Sequence, residues 1–198
     1  GTISGFVTPT GGEQETATFK VTGSRTEVGK SNNTYSLTWD GTAVESDYTK
    51  SETIGELEVK TSTKELKVTS ADGSWTYDGN AHTNKTYTVT FGDETIEGTE
   101  GQVEFTLSTG DKLTVVPADS ATITHVADTT VDNAFTWTVE NEAFYTKGTD
   151  TVGKLTVTKA TLTIVTESAS KEYDGEALTA AGTISGFVTP TGGEQETA

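Results

Sequence analysis

The chain has no cysteine, no methionine and few basic residues. Without thiols it can form neither disulfides nor thiolate metal sites. Its 198 residues include 13 Lys and Arg against 30 Asp and Glu, for a formal net charge of −17. So acidic a surface repels phosphate backbones and anionic lipids, and we expect no nucleic-acid partner. Because no apolar run is long enough to span a bilayer, we also expect no membrane insertion in this segment.

Histidine is nearly missing too, since only His82 and His125 are available as general bases. A Ser or Thr nucleophile needs such a base beside it. The acidic residues are scattered, so no pair of carboxylates stands out, and no calcium-binding loop of the Asp-x-Asp-x-Asp-Gly type occurs. We therefore expect that the protein is not an enzyme and has no catalytic residues, no metal site and no cofactor.

What the chain does contain is an exact repeat. The segment at residues 1–17, GTISGFVTPTGGEQETA, returns unchanged at residues 182–198. Recurrence without a single change indicates a tandem array, so the chain holds one period of 181 residues and the first part of the next.

A weaker repeat divides this period. Residues 171–179, KEYDGEALT, resemble residues 75–83, WTYDGNAHT. Tyr-Thr-Lys at residues 48–50 recurs at residues 145–147, and a Gly-x-Leu-x-Val segment follows in both places. The period therefore consists of two diverged modules, A and B, of roughly 90 residues each, near the small end of the domain range.

These repeats predict where the modules begin and end. Residues 63–159 form a complete module B. Residues 1–62 are the C-terminal part of a module A, and residues 160–198 are the N-terminal part of the next module A. We expect the junctions to be stiff, because the short segment at residues 61–63 contains neither Gly nor Pro.

Hydrophobic residues make up only 31% of the chain, but they alternate with polar ones, as at residues 35–39 and 135–139. A period of two, with β-branched threonine on the opposite face, is typical of half-buried strands. We therefore predict an all-β fold. The predicted strands include Thr2–Val7, Thr16–Thr22, Thr34–Trp39, Gly55–Lys60, Glu65–Thr69, Thr86–Phe91, Gln102–Leu107, Lys112–Val116, Thr122–Val126, Ala134–Val139 and Lys154–Thr158, with a loop at Gly23–Asn33.

Three motifs together carry a resemblance to a known family: residues 171–179, the segment VTGSRTEVG at residues 21–29, and the Gly-x-Leu-x-Val-x-Lys close at residues 153–159. The chain resembles the MBG/YDG-type tandem repeat modules of bacterial cell-surface, adhesin-like proteins. Module B departs from the pattern, with Trp75 where module A has Lys171. The resemblance implies small β-sandwich or β-grasp-like modules arranged end to end in a secreted, wall-associated protein at the bacterial cell surface.

The Tyr-Asp-Gly motif occurs once in each module, and we interpret it as structural. Asp accepts hydrogen bonds from the amides that follow it, Gly adopts positive φ, and Tyr packs its ring over the end of the module. The six residues of the two turns are Tyr77, Asp78, Gly79, Tyr173, Asp174 and Gly175.

Trp75 is the candidate contact residue. Because Lys171 occupies the matching position in module A, the sequence predicts a solvent-facing side chain. An exposed Trp beside a turn can stack on a sugar or pack on the next module, and packing is the more common use.

Two functions fit these observations. The first is a non-catalytic stalk, spacer or fibre-forming unit, whose neighbouring modules or chains meet head to tail. The second is a multivalent adhesive module, in which each copy binds host mucin or another glycan weakly. Since the two parts of module A lie on opposite sides of module B in the sequence, we expect each to find its missing part in a neighbouring copy.

Overall fold

The computed structural model describes residues 1–197, and the prediction of an all-β fold is confirmed. Sixteen strands and three short 3-10 helices make up its regular structure, and the described part of the chain contains no α-helix. The chain divides into two compact units, Gly1–Thr63 and a second that begins at Lys64. The final residue of the predicted third segment, Ala198, lies outside the described residues.

The first unit contains two antiparallel strand pairs. Strand β1 (Thr16–Val21) pairs along its whole length with β3 (Tyr35–Asp40), and β2 (Gly29–Asn32) pairs with β4 (Glu56–Val59). A 3-10 helix at Glu45–Asp47 lies between β3 and β4. The alternating pattern of β1 and β3 turns one face of that pair inward.

The inward face of the first unit is only partly covered. Phe19, Leu37 and Trp39 are half-buried, and Ala43 is the one hydrophobic residue of this unit that is fully buried. The strand pairs of this unit therefore have no second layer that fully covers their inward face.

The second unit contains three small sheets and a terminal hairpin, with 3-10 helices at Val126–Asp128 and Glu142–Phe144. Its strands are β5 (Glu65–Ser70), β6 (Gly73–Thr76), β7 (Tyr87–Phe91), β8 (Glu94–Glu97), β9 (Glu104–Thr106), β10 (Lys112–Pro117), β11 (Thr130–Asp132), β12 (Phe135–Val139), β13 (Thr146–Lys147), β14 (Lys154–Thr158), β15 (Thr163–Thr166) and β16 (Gly182–Ser185).

The sheet orders are β13-β5-β7-β8, β12-β10-β9 and β11-β14-β6. The β13–β5 and β14–β6 pairs are parallel, and the others are antiparallel. Inward side chains of the first two sheets form the main core, and a smaller cluster lies around Ile123, Leu155 and Val157. The buried residues of the main core are Leu66, Val68, Tyr87, Val89, Phe91, Phe105, Leu107, Leu113, Val115, Val139 and Tyr145.

The terminal hairpin pairs β15 with β16 in antiparallel register, so that Ile164 lies opposite Ile184. The β5–β7 pair of module B has the same arrangement, with Val68 opposite Val89. Unlike β5 and β7, however, β15 and β16 are exposed on both faces.

The first unit repeats the strand pairing of the later part of module B. The β1–β3 pair corresponds to β10–β12, and β2–β4 corresponds to β11–β14. The Asn33 amide donates to the Gly55 carbonyl at 2.7 Å, and the Asn133 amide donates to the Gly153 carbonyl at 2.8 Å.

Three local predictions are wrong. Thr2–Val7 forms no strand, although β16 has the same sequence as its first residues, because the first copy has no strand paired beside it. The predicted loop Gly23–Asn33 contains β2, whose short polar sequence GKSN hides its pairing with β4. Thr122–Val126 forms only an isolated bridge between Ile123 and His82.

Candidate functional site: a module closure and its open counterpart

Module B is closed by a buried group of hydrogen bonds between its first strand and its later half. The Ser70 hydroxyl donates to the Asn133 carbonyl at 2.8 Å and accepts from the Gly153 amide at 2.9 Å. The Asn133 side-chain amide donates to the carbonyls of Ala71 and Asn84 at 2.9 and 2.8 Å. Ser70 and Asn133 are 2% and 1% exposed, so each lost partner would leave a buried polar group unpaired.

Gly153 lets the two backbones approach each other at this closure. A Cβ atom at this position would lie 2.4 Å from the Ala71 carbonyl oxygen and 2.6 Å from that of Ser70. No side chain fits in that space, so the residue has to be glycine for β14 to pack beside the end of β5.

The first unit has Asn33 and Gly55 at the positions that match Asn133 and Gly153, but no strand of residues 1–197 lies beside Gly55 as β5 lies beside Gly153. The Asn33 side-chain oxygen is buried and has no hydrogen-bond partner among the described residues. A Cβ on Gly55 would meet nothing nearer than the Asn33 Cβ, at 3.9 Å. The first unit therefore has a closure site that no strand fills.

The unfilled closure site at Asn33 and Gly55 adjoins a groove of about 530 Å³. Its lining includes Phe19, Leu37, Trp39 and Ile54, the side chains that face inward from β1, β3 and the segment before β4. In module B the corresponding space contains Leu66 and Val68, both 0% exposed.

The terminal hairpin carries the matching side chains. Leu162 and Ile164 correspond to Leu66 and Val68 but are 47% and 71% exposed. Past the strand end, the Glu167 amide donates to Ala181 at 2.8 Å, as the Ala71 amide of module B donates to Thr86 at 3.0 Å. The terminal hairpin thus has the same antiparallel backbone pairing as β5 and β7, but its side chains are not buried in a core.

The two Tyr-Asp-Gly turns have the same internal geometry. The Asn80 amide donates to Asp78 at 2.9 Å, and the Glu176 amide donates to Asp174 at 3.0 Å. Both glycines adopt positive φ, 80° and 82°. The backbone hydrogen bond from Asn80 lowers the pKa of Asp78. At Asp174 an ion pair with Lys171 is the main cause of the lowered pKa, followed by the Glu176 amide.

A hairpin within the exact repeat, which we call the repeat hairpin, has the same conformation in both copies, residues 6–16 and 187–197. The Glu15 amide donates to the Val7 carbonyl at 2.9 Å, and the Glu196 amide donates to Val188 at 3.0 Å. A Gly-to-Pro bond closes the tip of each copy at 3.0 Å. The local sequence therefore determines the conformation of the repeat hairpin, since the two copies lie in different surroundings.

The two copies of the repeat hairpin bind different tyrosines. In the first copy, Tyr48 donates to Glu15, and the Phe6 ring packs edge-on against Tyr48 with centroids 5.6 Å apart. In the second copy, Tyr77 of the first Tyr-Asp-Gly turn donates to Glu196 at 2.5 Å. The hydrogen bond to a carboxylate raises the pKa of Tyr48 and of Tyr77.

Trp75 is half-buried rather than solvent-facing. It packs on the cluster around Ile123, Leu155 and Val157, and its ring stacks on His82 with centroids 4.8 Å apart and planes 8° from parallel. The match with Lys171 predicted the wrong exposure for Trp75, because Lys171 lies in an exposed segment that packs on no core among the described residues, whereas Trp75 packs on a hydrophobic cluster. His82 also contacts Asp78 at 3.0 Å.

Across residues 1–197 no cluster of three or more His, Asp or Glu side chains is arranged to hold a metal ion. None of the helices in this range is long and apolar enough to cross a membrane. Comparison with protein-family models, curated proteins and solved structures found no match to the chain.

The match of Asn33 with Asn133 is the sequence signal for the closure site. This match locates the closure site but does not predict its hydrogen bonds. The partners of the Asn133 side chain are backbone carbonyls, which any residue type can supply. Nor does the sequence indicate that the repeat hairpin contacts the Tyr77 turn, since the hydrogen bond between Tyr77 and Glu196 joins residues 119 positions apart.

Proposed function

We propose that the chain is a non-catalytic repeat segment of a secreted bacterial surface protein and acts as a stalk or fibre-forming unit. Its modules are strung in tandem, and the first strands of each module A come from the preceding copy of the period. The exact repeat supports the tandem order, and the high acidic charge favours a soluble array whose fibres repel one another.

The contrast between the two closures carries this proposal. Asn133 and Gly153 hold β5 in a buried site, whereas Asn33 and Gly55 surround an open one. In the tandem order, a copy of residues 160–181 precedes residue 1. That segment contains Leu162 and Ile164, which match the two buried side chains of β5, and their burial would supply the missing apolar contacts.

Between separate chains, the same fit gives head-to-tail association: the terminal hairpin of one chain enters the groove of the next. Such contacts are heterologous and do not close on themselves, so they produce filaments of increasing length. Each added chain leaves one groove and one hairpin free for the next.

Sedimentation velocity over a range of concentrations tests this proposal. We expect the mean sedimentation coefficient of the wild-type chain to rise with concentration as chains associate. Gly55→Ala should weaken this association by about tenfold or more, because its Cβ occupies the space of the incoming strand. The thermal midpoint of the variant should not change, since the space around Gly55 is open in the single chain.

Gly12→Ala is the matched control. Its new Cβ lies 3.6 Å from Pro9, which is ordinary contact, and Gly12 does not line the groove. The proposal is wrong if the wild-type chain stays monomeric at high concentration, or if Gly55→Ala and Gly12→Ala associate equally well.

A further inference from the structure

We infer that the turn Tyr77–Asn80 is the docking surface of module B for the repeat hairpin of the module that follows, and that this contact couples consecutive modules. The inference rests on the proposed tandem order, because the second repeat hairpin is read as part of the next module A. It gives the Tyr-Asp-Gly turn a partner of defined chemistry: a Pro-Thr-Gly-Gly hairpin with a glutamate at its base.

The two identical copies of the repeat hairpin show what docking buries. In the second copy Val188 and Pro190 are half-buried: Pro190 lies against Gly79, and Val188 lines a groove with Tyr77 and Val126. In the first copy the same residues, Val7 and Pro9, are exposed, Val7 by 55%. Sequence and conformation are equal, so the difference comes from the surface that the second copy meets.

Three contacts fix the docked hairpin. The Thr191 amide donates to the Asn80 side-chain oxygen at 2.8 Å, and Tyr77 donates to Glu196 at 2.5 Å. Pro190 covers Gly79, where an added Cβ would lie 2.4 Å from the proline ring. The glycine of this turn therefore serves the docked hairpin as well as the turn itself.

The second Tyr-Asp-Gly turn provides the comparison within the same molecule. Around Gly175 an added Cβ would meet nothing within 4 Å, and Tyr173 is 98% exposed. The Asp-to-amide hydrogen bond and the positive φ of the glycine are shared with the first turn, so the second turn has the same backbone conformation without a hairpin of residues 1–197 docked on it.

Docking leaves the hairpin free to join its own module. The tip atoms, on Pro190 and Thr191, contact the turn of the preceding module. The base, represented by Phe6 and Val7 in the first copy, contacts Tyr48 of its own module. The glutamate serves both contacts, and a carboxylate can accept about four hydrogen bonds, enough for both tyrosines.

Amide hydrogen exchange of the whole chain, followed by NMR, tests the docking. Thr191 and Thr10 occupy the same position in the two copies, so Thr10 is the internal reference. We expect the Thr191 amide to exchange about tenfold more slowly than the Thr10 amide, since it alone has the Asn80 acceptor. Asn80→Ala and Tyr77→Phe should each remove most of that difference.

Tyr173→Phe is the matched control and should leave the difference intact. Equal exchange at Thr191 and Thr10 in the wild type, or a difference that survives both Asn80→Ala and Tyr77→Phe, would overturn the inference. The measurement is made on dilute single chains. A failure of docking is therefore separate from a failure of chain association, which the Gly55→Ala experiment measures.

Discussion

The later half of module B and the first unit share their strand pairing but differ in burial. In module B, Val115 is 1% exposed, whereas Phe19 at the matching position is half-buried. The difference indicates that these strands can pair without the fully buried core that β5 and β7 complete in module B. Strand pairing and core formation are thus carried by different parts of the module.

The largest effect that this comparison predicts concerns the first strand. Leu66→Ala should lower the free energy of unfolding of the second unit by about 2–5 kcal/mol, since Leu66 is fully buried. Leu162→Ala at the matching exposed position should change it by less than about 0.5 kcal/mol. Urea unfolding measures both.

Equal losses for the two leucine variants would mean that the terminal hairpin is packed in solution. The assignment of β15 as an uncovered strand would then be wrong.

The second effect concerns the closure asparagines. Asn133→Ala should cost about 2–4 kcal/mol, because the carbonyls of Ala71 and Asn84 lose their buried donor. Asn33→Ala should be nearly neutral in the single chain, because its side-chain oxygen has no partner to lose. Thermal unfolding at low concentration compares the two, and a similar loss at both positions would contradict the open closure.

A smaller effect is expected at Trp75, where it separates the stalk from the adhesive alternative. Trp75→Ala should destabilise the second unit by about 2 kcal/mol, because the ring packs on His82 and the small cluster. Retention of the chain on immobilised mucin should not change. Loss of mucin binding at unchanged stability would instead support the adhesive function.

The smallest effect is the pH dependence of the docked hairpin. The hydrogen bond to Glu196 raises the pKa of Tyr77, so the folded chain favours the protonated phenol. The stability that this hydrogen bond contributes is fully present below the ordinary tyrosine pKa of 10.0 and is lost as the pH rises through the raised pKa of Tyr77.

Ultraviolet titration of the wild type minus Tyr77→Phe isolates this group. Its pKa should lie above 10.0 and should fall when Glu196 is replaced by alanine. An unshifted titration, or one that Glu196→Ala leaves in place, contradicts the contact between Tyr77 and Glu196.

The sequence was sufficient for the all-β fold and for several strands, because alternation marks elements such as β3 and β12 directly. It missed β2, β6, β8, β11, β13, β15 and β16, which are short; all except β8, which forms a tight hairpin with β7, pair with strands well separated from them along the chain. The case of Thr2–Val7 is the clearest. The letters GTIS form a strand at β16 and none at residues 1–4, so a neighbouring strand decides the outcome, not the letters.

The same limit applies to the site. The exposure expected for Trp75 came from its match with Lys171, but burial depends on whether a core lies beneath, which an alignment of two modules does not record. The Tyr-Asp-Gly turns could be recognised because Asp and Gly act on their immediate neighbours. The hairpin that docks on one of them could not, since it comes from far along the chain.

The parallel pair of β6 and β14 has a mechanical consequence. One strand lies near the start of module B and the other at its end, with four residue pairs in register. Tension applied to the two ends of the module would slide these strands past each other in opposite directions. Every hydrogen bond between them would then carry load together, so the module should resist stretching far better than a hairpin whose bonds open one after another.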